Sequence, residues 1–141
     1  MQNDYRILAL VSIFLAGAPM HAASAQINTG DIAKQVHLVV DGDRLFASNI
    51  RTSNFDELRL NPRERLLDKR EGEGIIIVIT NQRLIAYGVV SGWRDIDRQA
   101  NERIETISAA DYAGLIVTNK RMLNFNGESG VWGERQRRAG Q

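Results

Sequence analysis

Short apolar runs separated by polar turns recur along this chain. Residues 36–40, 75–79 and 115–117 are rich in valine and isoleucine, which favour strands with at least one buried face. After each run comes a polar turn and then a second apolar stretch, which starts at Arg44, Arg83 or Arg121. The pattern therefore predicts an all-β domain.

The three arginines are 39 and then 38 positions apart, and their neighbours agree in physical type. A glycine or an asparagine stands two positions before and five positions after each arginine, where it can take the positive φ of a tight turn. These positions are Gly42, Asn81 and Asn119 before the arginines, and Asn49, Gly88 and Asn126 after them. A period of about 20–50 residues is typical of repeat architectures.

A large aromatic residue follows each arginine by 10 or 11 positions, and these residues are Phe55, Trp93 and Trp132. We expect each of them to open a further strand, over residues 55–60, 93–97 and 132–137. The segments 61–69 and 101–108 lead into the next apolar run and are also predicted as strands, although the leucines of the first segment would also fit a short helix. Each unit is therefore predicted to contain four short antiparallel strands.

The phase of the repeat predicts that residues 26–141 are one domain of three units, with one unit split across the termini. A split unit would close a ring and leave no sheet edge exposed. We therefore expect a pseudo-threefold closed small barrel with radiating β-hairpins, like a β-flower or a β-trefoil. The alternative is a set of propeller-type blades, although three blades are fewer than the usual number of about 4–8.

Residues 1–25 have the pattern of a cleaved signal peptide. Arg6 precedes a short apolar stretch at residues 7–18, and Ala23-Ser24-Ala25 provides the small residues that precede cleavage. A membrane anchor would need about 20 apolar residues, which is longer than this stretch. The chain has no cysteine, which excludes a lipid-modified N-terminus and a disulfide framework. We expect export to the periplasm or the cell exterior, with no membrane span after cleavage.

Charge and candidate chemistry argue against catalysis. With 18 basic and 17 acidic side chains, the net charge of +1 does not predict nucleic-acid binding. His37, the only histidine after the leader, is expected to be an ordinary strand residue. The run 41–43 is expected to be a turn and not a calcium loop, and Asp95 and Asp97 are expected to lie on a solvated strand face. We predict no catalytic residue, no metal site and no cofactor.

The repeated arginines are one set of candidate binding residues. In a threefold ring, Arg44, Arg83 and Arg121 would surround one axis and could bind a phosphate, sulfate or carboxylate through their planar guanidinium groups. The alternative is that each arginine pairs with a nearby acid, such as Glu64 or Glu102.

The repeated aromatic residues are the second set of candidates. Phe55, Trp93 and Trp132 would stack on sugar rings if they are exposed, with one site in each unit. The alternative is that they anchor the packing of each unit, because a buried aromatic side chain removes a large apolar area from water.

The residues around the second and third arginines carry a resemblance to known repeats. Residues 78–85 read Val-Ile-Thr-Asn-Gln-Arg-Leu-Ile, and residues 117–123 copy this pattern. They resemble the repeats of uncharacterised exported bacterial proteins that form shallow symmetric β-flower barrels, and the resemblance runs through almost all of the mature chain. It implies a fold but no activity or ligand. The hairpin is also similar to one hairpin of bacterial pleckstrin-homology-like domains, and the first unit departs from both patterns.

Two functions follow from these observations. The first is an exported, non-catalytic binding module whose partner is a polar polymer such as a glycan, a lipid headgroup or a protein. The second is a structural module that oligomerises through its β-repeats.

Overall fold

The computed structural model describes residues 34–138, which form eleven β-strands and no helix, so the all-β prediction is confirmed. This range accordingly holds no helix that could span a membrane. The predicted leader, residues 1–25, lies outside the described residues. The strands are β1 (Val36–Asp41), β2 (Arg44–Asn49), β3 (Asn54–Arg59), β4 (Leu66–Glu71), β5 (Ile75–Thr80), β6 (Arg83–Gly88), β7 (Gly92–Asp97), β8 (Ile104–Ala110), β9 (Ala113–Thr118), β10 (Arg121–Asn126) and β11 (Val131–Gln136).

The strands form three separate antiparallel sheets in which neighbours along the chain are neighbours in space. The first sheet contains β1 to β3, the central sheet β4 to β7 and the third sheet β8 to β11. The strands β2, β6 and β10 each begin at one of the repeated arginines and each pairs with the apolar strand before it. The repeated strand-hairpin units predicted from the sequence are therefore confirmed. The strands predicted at 61–69 and 101–108 begin later than expected, at Leu66 and Ile104.

The described strands are shared unevenly among the three sheets. The third sheet has four strands within Ile104–Gln136. The first sheet is the one with three strands among residues 34–138. The sequence position that corresponds to β4 and β8 in that unit is about residues 27–33, which lie outside the described residues.

The sheets pack face to face, with the central sheet between the other two. Ile76 and Val78 of β5 belong to a core shared with the first sheet, and Ile75, Ile77 and Ile79 belong to a core shared with the third sheet. All six residues of β5 are buried, because both of its faces are covered. Burial on one face only explains why β1 and β9 show an alternating pattern instead.

The pseudo-threefold closed barrel that we expected is not observed among residues 34–138. The described strands form backbone ladders only within their own sheet, and the three sheets contact one another through side chains and connecting turns. Within residues 34–138, this stack of separate sheets leaves the outer faces of the first and third sheets uncovered.

The turns before the arginines use two different mechanisms. Gly42 has a φ of 60°, as predicted for a tight hairpin turn. The left-handed geometry expected at Asn81 and Asn119 is wrong, since neither residue has a positive φ. Their side chains instead accept hydrogen bonds from the backbone N–H groups of Arg65 at 2.8 Å and Arg103 at 2.7 Å. Asparagine is used here for its amide and not for its backbone freedom.

The positions after the arginines also lack the positive φ that we expected. The Asn49 side chain donates to the hydroxyl oxygen of Tyr87 at 2.7 Å and so joins the first sheet to the central sheet. At Gly88, a Cβ atom would lie 2.1 Å from the carbonyl oxygen of Gly127. Glycine is required at this position because the backbones of the central and third sheets approach each other closely.

Candidate interaction surfaces

Arg83, the first residue of β6, is held by a buried carboxylate. Its Nε lies 2.9 Å from Oε1 of Glu64, and its Nη2 lies 2.8 Å from Oε2 of the same residue. The Thr80 hydroxyl donates to Glu64 at 2.6 Å. A further hydrogen bond runs from Arg83 Nη2 to the carbonyl oxygen of Arg59, the last residue of β3, at 3.3 Å. Arg83 therefore ties the central sheet to the end of the first sheet.

Arg121 makes the same set of contacts one unit later. Its Nε lies 2.7 Å from Oε1 of Glu102, and Thr118 donates to that carboxylate at 3.0 Å. Its Nη2 donates to the carbonyl oxygen of Asp97, the last residue of β7, at 2.8 Å. The side chains of Arg121 and Glu102 are 6% and 0% exposed. We call the two groups, Arg83–Glu64–Thr80 and Arg121–Glu102–Thr118, the arginine clamps.

Both glutamates of the arginine clamps are charged at neutral pH. Burial alone would raise the pKa of Glu64 and of Glu102. Hydrogen bonds from the arginine, the threonine and a backbone N–H, together with the positive charge of the arginine, outweigh burial and hold each pKa below its usual range. The guanidinium groups of Arg83 and Arg121 are therefore already occupied by a permanent anion.

Arg44 occupies the same position in the first unit but has a different environment. Its Nη2 lies 2.6 Å from Oδ2 of Asp41, and both side chains are substantially exposed. The sequence position that corresponds to Glu64 and Glu102 is Ala25, which cannot form a clamp. Each of the three candidate arginines thus has its own carboxylate partner, as in the alternative stated above.

The three aromatic candidates also differ in environment. Trp93 packs against Tyr87 with a ring separation of 5.0 Å, and its Nε1 donates to the carbonyl oxygen of Asp56 at 2.9 Å. Trp132 packs against Phe125, again at 5.0 Å. Both tryptophans are partly buried between two sheets. Phe55 is 65% exposed, because no sheet covers that side of the first sheet among residues 34–138.

A buried polar network joins the first sheet to the central sheet. The Tyr87 hydroxyl donates to the Asp56 carboxylate and accepts from Asn49. Burial and the hydrogen bond to Asp56 raise the pKa of Tyr87 to about 12. The hydroxyl is therefore neutral at physiological pH and acts as a structural link between the sheets.

The outer face of the first sheet exposes apolar side chains. Val39 and Phe46 are direct cross-strand partners on this face, and Phe55 lies across from Ser48. Val39 is 47% exposed, whereas its neighbour Leu38 on the opposite face is buried. We call this surface the head face, and its residues are His37, Val39, Phe46, Ser48, Phe55 and Glu57.

The outer face of the third sheet is the second exposed apolar surface. Leu115 on β9 is 42% exposed and Met122 on β10 is 37% exposed, although Ile116 and Leu123 beside them are fully buried. Val117 and Met122 are cross-strand partners. We call this surface the tail face, and its residues are Leu115, Val117, Met122, Asn124 and Arg135. The strand alternation contains the signal for both faces, but the sequence does not show which faces a neighbouring sheet covers.

The other candidate residues have ordinary environments. His37 lies on the head face, 3.9 Å from Glu71. Asp95 faces the same side of β7 as Asp97, and its carboxylate lies 3.2 Å from Nη1 of Arg83. Residues 34–138 hold no group of three histidine, cysteine or carboxylate side chains placed to bind a metal.

A cleft of about 420 Å³ lies between β4 and β8. It is lined by aliphatic residues and by charges of both signs, which include Asp68, Arg70, Arg103 and Glu105. This mixture does not select a ligand of one charge, so the head and tail faces are the stronger candidate surfaces.

No protein-family model matches this chain, and no curated protein matches it. Among solved structures, it is similar to the N-terminal domain of Nup159, with 9% identity and a TM-score of 0.41 over 74% of this chain and 31% of that chain. It is also similar to a chain of the S. cerevisiae complex of Dbp5 with Nup159, Gle1, IP6 and ADP, with 8% identity and a TM-score of 0.40 over the same shares. The chain spans about a third of the length of these structures, and such values identify no function.

Proposed function

We propose that this protein is an exported, non-catalytic binding module that binds another protein through its outer sheet faces. One observation carries the proposal: the head and tail faces expose large apolar side chains at strand positions whose equivalents between the sheets are buried. Burial of such apolar surface is the main driving force of protein association. Export rests on the leader pattern of residues 1–25.

The environments of the other candidates favour a protein over a glycan or a lipid headgroup. A sugar site in each unit would need an exposed aromatic ring in each, but Trp93 and Trp132 are packed between sheets, and of the three candidates Phe55 alone is largely exposed. A phosphate headgroup would need free guanidinium groups, but the clamps already hold Arg83 and Arg121 against glutamates. The head face and the tail face instead expose aliphatic and aromatic side chains, which can pack against the face of another sheet.

Photo-crosslinking tests this proposal. A benzoylphenylalanine replaces Phe55 on the head face of the full chain, and a matched control replaces Leu67, which is 50% exposed on β4 and lies on neither outer face. Irradiation of cells that express the chain should give a protein adduct from position 55 and none from position 67. An adduct with lipid or glycan only, or no adduct from position 55, would contradict the proposal.

A further inference from the structure

The molecule makes one kind of sheet–sheet interface twice. In the first copy, Val78, Ile85 and Trp93 of the central sheet face the first sheet. In the second copy, Ile116, Leu123 and Trp132 of the third sheet face the central sheet in the same way. These positions correspond one to one along the repeat, so every sheet has one side of the head type and one side of the tail type.

Among residues 34–138, no sheet covers the head side of the first sheet or the tail side of the third sheet. We propose that the head face of one copy binds the tail face of a second copy, so that two copies form a closed ring of six sheets. This inference rests on the proposed function and names the partner as a second copy of this chain.

The unused faces carry the right side chains for this contact. On the head face, Val39, Phe46 and Phe55 stand where the central sheet has Val78, Ile85 and Trp93. The tail face has the corresponding match. Its members Leu115, Val117 and Met122 stand where the central sheet has Ile77, Ile79 and Leu84.

The arginine contacts predict one specific hydrogen bond across the new interface. Arg83 and Arg121 each donate to the carbonyl oxygen of the last residue of the preceding sheet, which is Arg59 or Asp97. Gln136 stands at the corresponding place in the third sheet, opposite Arg121 at the end of β11. Arg44 of one copy should therefore donate to the carbonyl oxygen of Gln136 in the second copy.

The unused faces are also more polar than the covered ones, as an interface between separate chains requires. The head face has His37 and Ser48 where the central sheet has Ile76 and Tyr87. The tail face has Asn124 and Arg135 where the central sheet has Ala86 and Ile96. These polar residues keep a single copy soluble before it pairs. Glu57 on the head face and Arg135 on the tail face carry opposite charges.

Two copies give a ring whose size fits known closed arrangements. A head-to-tail contact either closes into a ring or continues as an open polymer. Three sheets are too few for the usual range of about 4–8 blades, whereas six lie within it. Closure leaves neither face exposed, which removes the apolar surface that would otherwise promote aggregation.

Sedimentation equilibrium of the exported protein tests the inference with three variants. Phe55→Asp disrupts the head face, Met122→Asp disrupts the tail face, and Leu67→Asp is the matched control. Wild-type protein and the control should have the mass of two chains, and the head and tail variants should each have the mass of one. An equimolar mixture of the head and tail variants should recover a two-chain species, because one intact head meets one intact tail. Recovery also shows that both variants are folded.

Several outcomes would overturn the inference. A wild-type protein that stays a single chain at about 100 µM excludes the pairing, and a tail variant that still dimerises indicates a head-to-head contact instead. An open polymer contradicts the closed ring. If the wild type is monomeric while position 55 crosslinks to a different protein, the proposed function stands and only the identity of the partner is wrong.

A substitution at Arg44 tests the predicted hydrogen bond. Arg44→Ala should weaken pairing by about a hundredfold, because a closed ring of two copies has two head–tail contacts and loses one hydrogen bond from a charged group at each, worth about tenfold apiece. Arg65→Ala, which removes an exposed arginine elsewhere, should leave pairing unchanged. Equal affinity of Arg44→Ala and wild type would show that Arg44 makes no such contact.

Discussion

Arg44 and Arg121 begin equivalent strands, but the side chain of Arg44 is exposed and that of Arg121 is buried. Arg121 is buried in a clamp with Glu102 and Thr118 and reaches the end of the preceding sheet. Arg44 makes an exposed pair with Asp41 at the surface of the stack. Arg44 lacks two things that Arg121 has among residues 34–138: a preceding sheet, and a glutamate at the position of Glu64 and Glu102. Within residues 34–138, the arginine that no sheet precedes makes an exposed ion pair instead of a clamp.

Removal of a clamp glutamate should have the largest effect on this comparison. Glu102→Ala removes the fully buried partner of Arg121 and leaves it the more exposed Glu134, 3.0 Å from its Nη1. The loss of one partner of a buried ion pair typically costs about 3–5 kcal/mol. Urea unfolding followed by circular dichroism should show a loss of this size in the free energy of unfolding. A loss below about 1 kcal/mol would mean that the clamp does not stabilise the junction.

Replacement of both clamp partners should be less harmful than the single losses suggest. Arg121→Met with Glu102→Leu removes both buried charges and fills the space with apolar atoms, an exchange that is often neutral. In the same urea experiment, the loss in free energy of unfolding of the double variant should be smaller than the sum of the losses of the two single variants, by about 1–3 kcal/mol. Simple additivity would show that Arg121 and Glu102 act independently.

The clamps should also make the protein sensitive to acid. The pKa values of Glu64 and Glu102 in the folded protein lie below the ordinary glutamate value of 4.5, so the stabilisation from these groups is complete above that pH and is lost as the pH falls through the folded pKa values. Urea titrations between pH 7 and pH 3 should show a steep fall in stability for the wild type. The double variant Glu64→Gln with Glu102→Gln should be less stable at neutral pH, and its stability should depend less on pH. If its stability fell as steeply as that of the wild type, these two glutamates would be excluded as the source of the acid sensitivity.

The exposed pair of the first sheet should show the smallest effect. Asp41→Asn removes one charge of a solvated ion pair, and such pairs contribute about 0–1 kcal/mol. Thermal unfolding of this variant should almost superimpose on that of the wild type. A loss as large as that of Glu102→Ala would erase the difference between the two arginine environments.

The sequence allowed the strands and their repeat to be predicted because both depend on local patterns. The hairpin turns, the arginine at the start of β2, β6 and β10, and the aromatic residue near the start of the next strand all follow from residue type and spacing. The pairing of Arg83 with Glu64 was one of two alternatives, since both residues were visible as repeated positions.

The packing of the sheets could not be predicted in the same way. Alternation shows that a strand has two faces, but it does not show whether a neighbouring sheet covers the second face, as it does for β5. Asn81 and Asn119 illustrate the same limit on a small scale. Their residue type fits a left-handed turn, whereas their side-chain amides in fact bind backbone N–H groups of the preceding turn. Closure into a barrel was expected from the repeat, but repetition alone does not fix how the units are arranged.

Thiol crosslinking between copies is the most direct test of the central claim, that head and tail faces are two halves of one interface. Because the chain has no cysteine, Val39→Cys on the head face and Met122→Cys on the tail face each give a protein with a single thiol. With a short bifunctional maleimide, a mixture of the two variants should give a crosslinked dimer, and neither variant alone should do so. Crosslinking of the head variant with itself, or its absence from the mixture, would contradict the account.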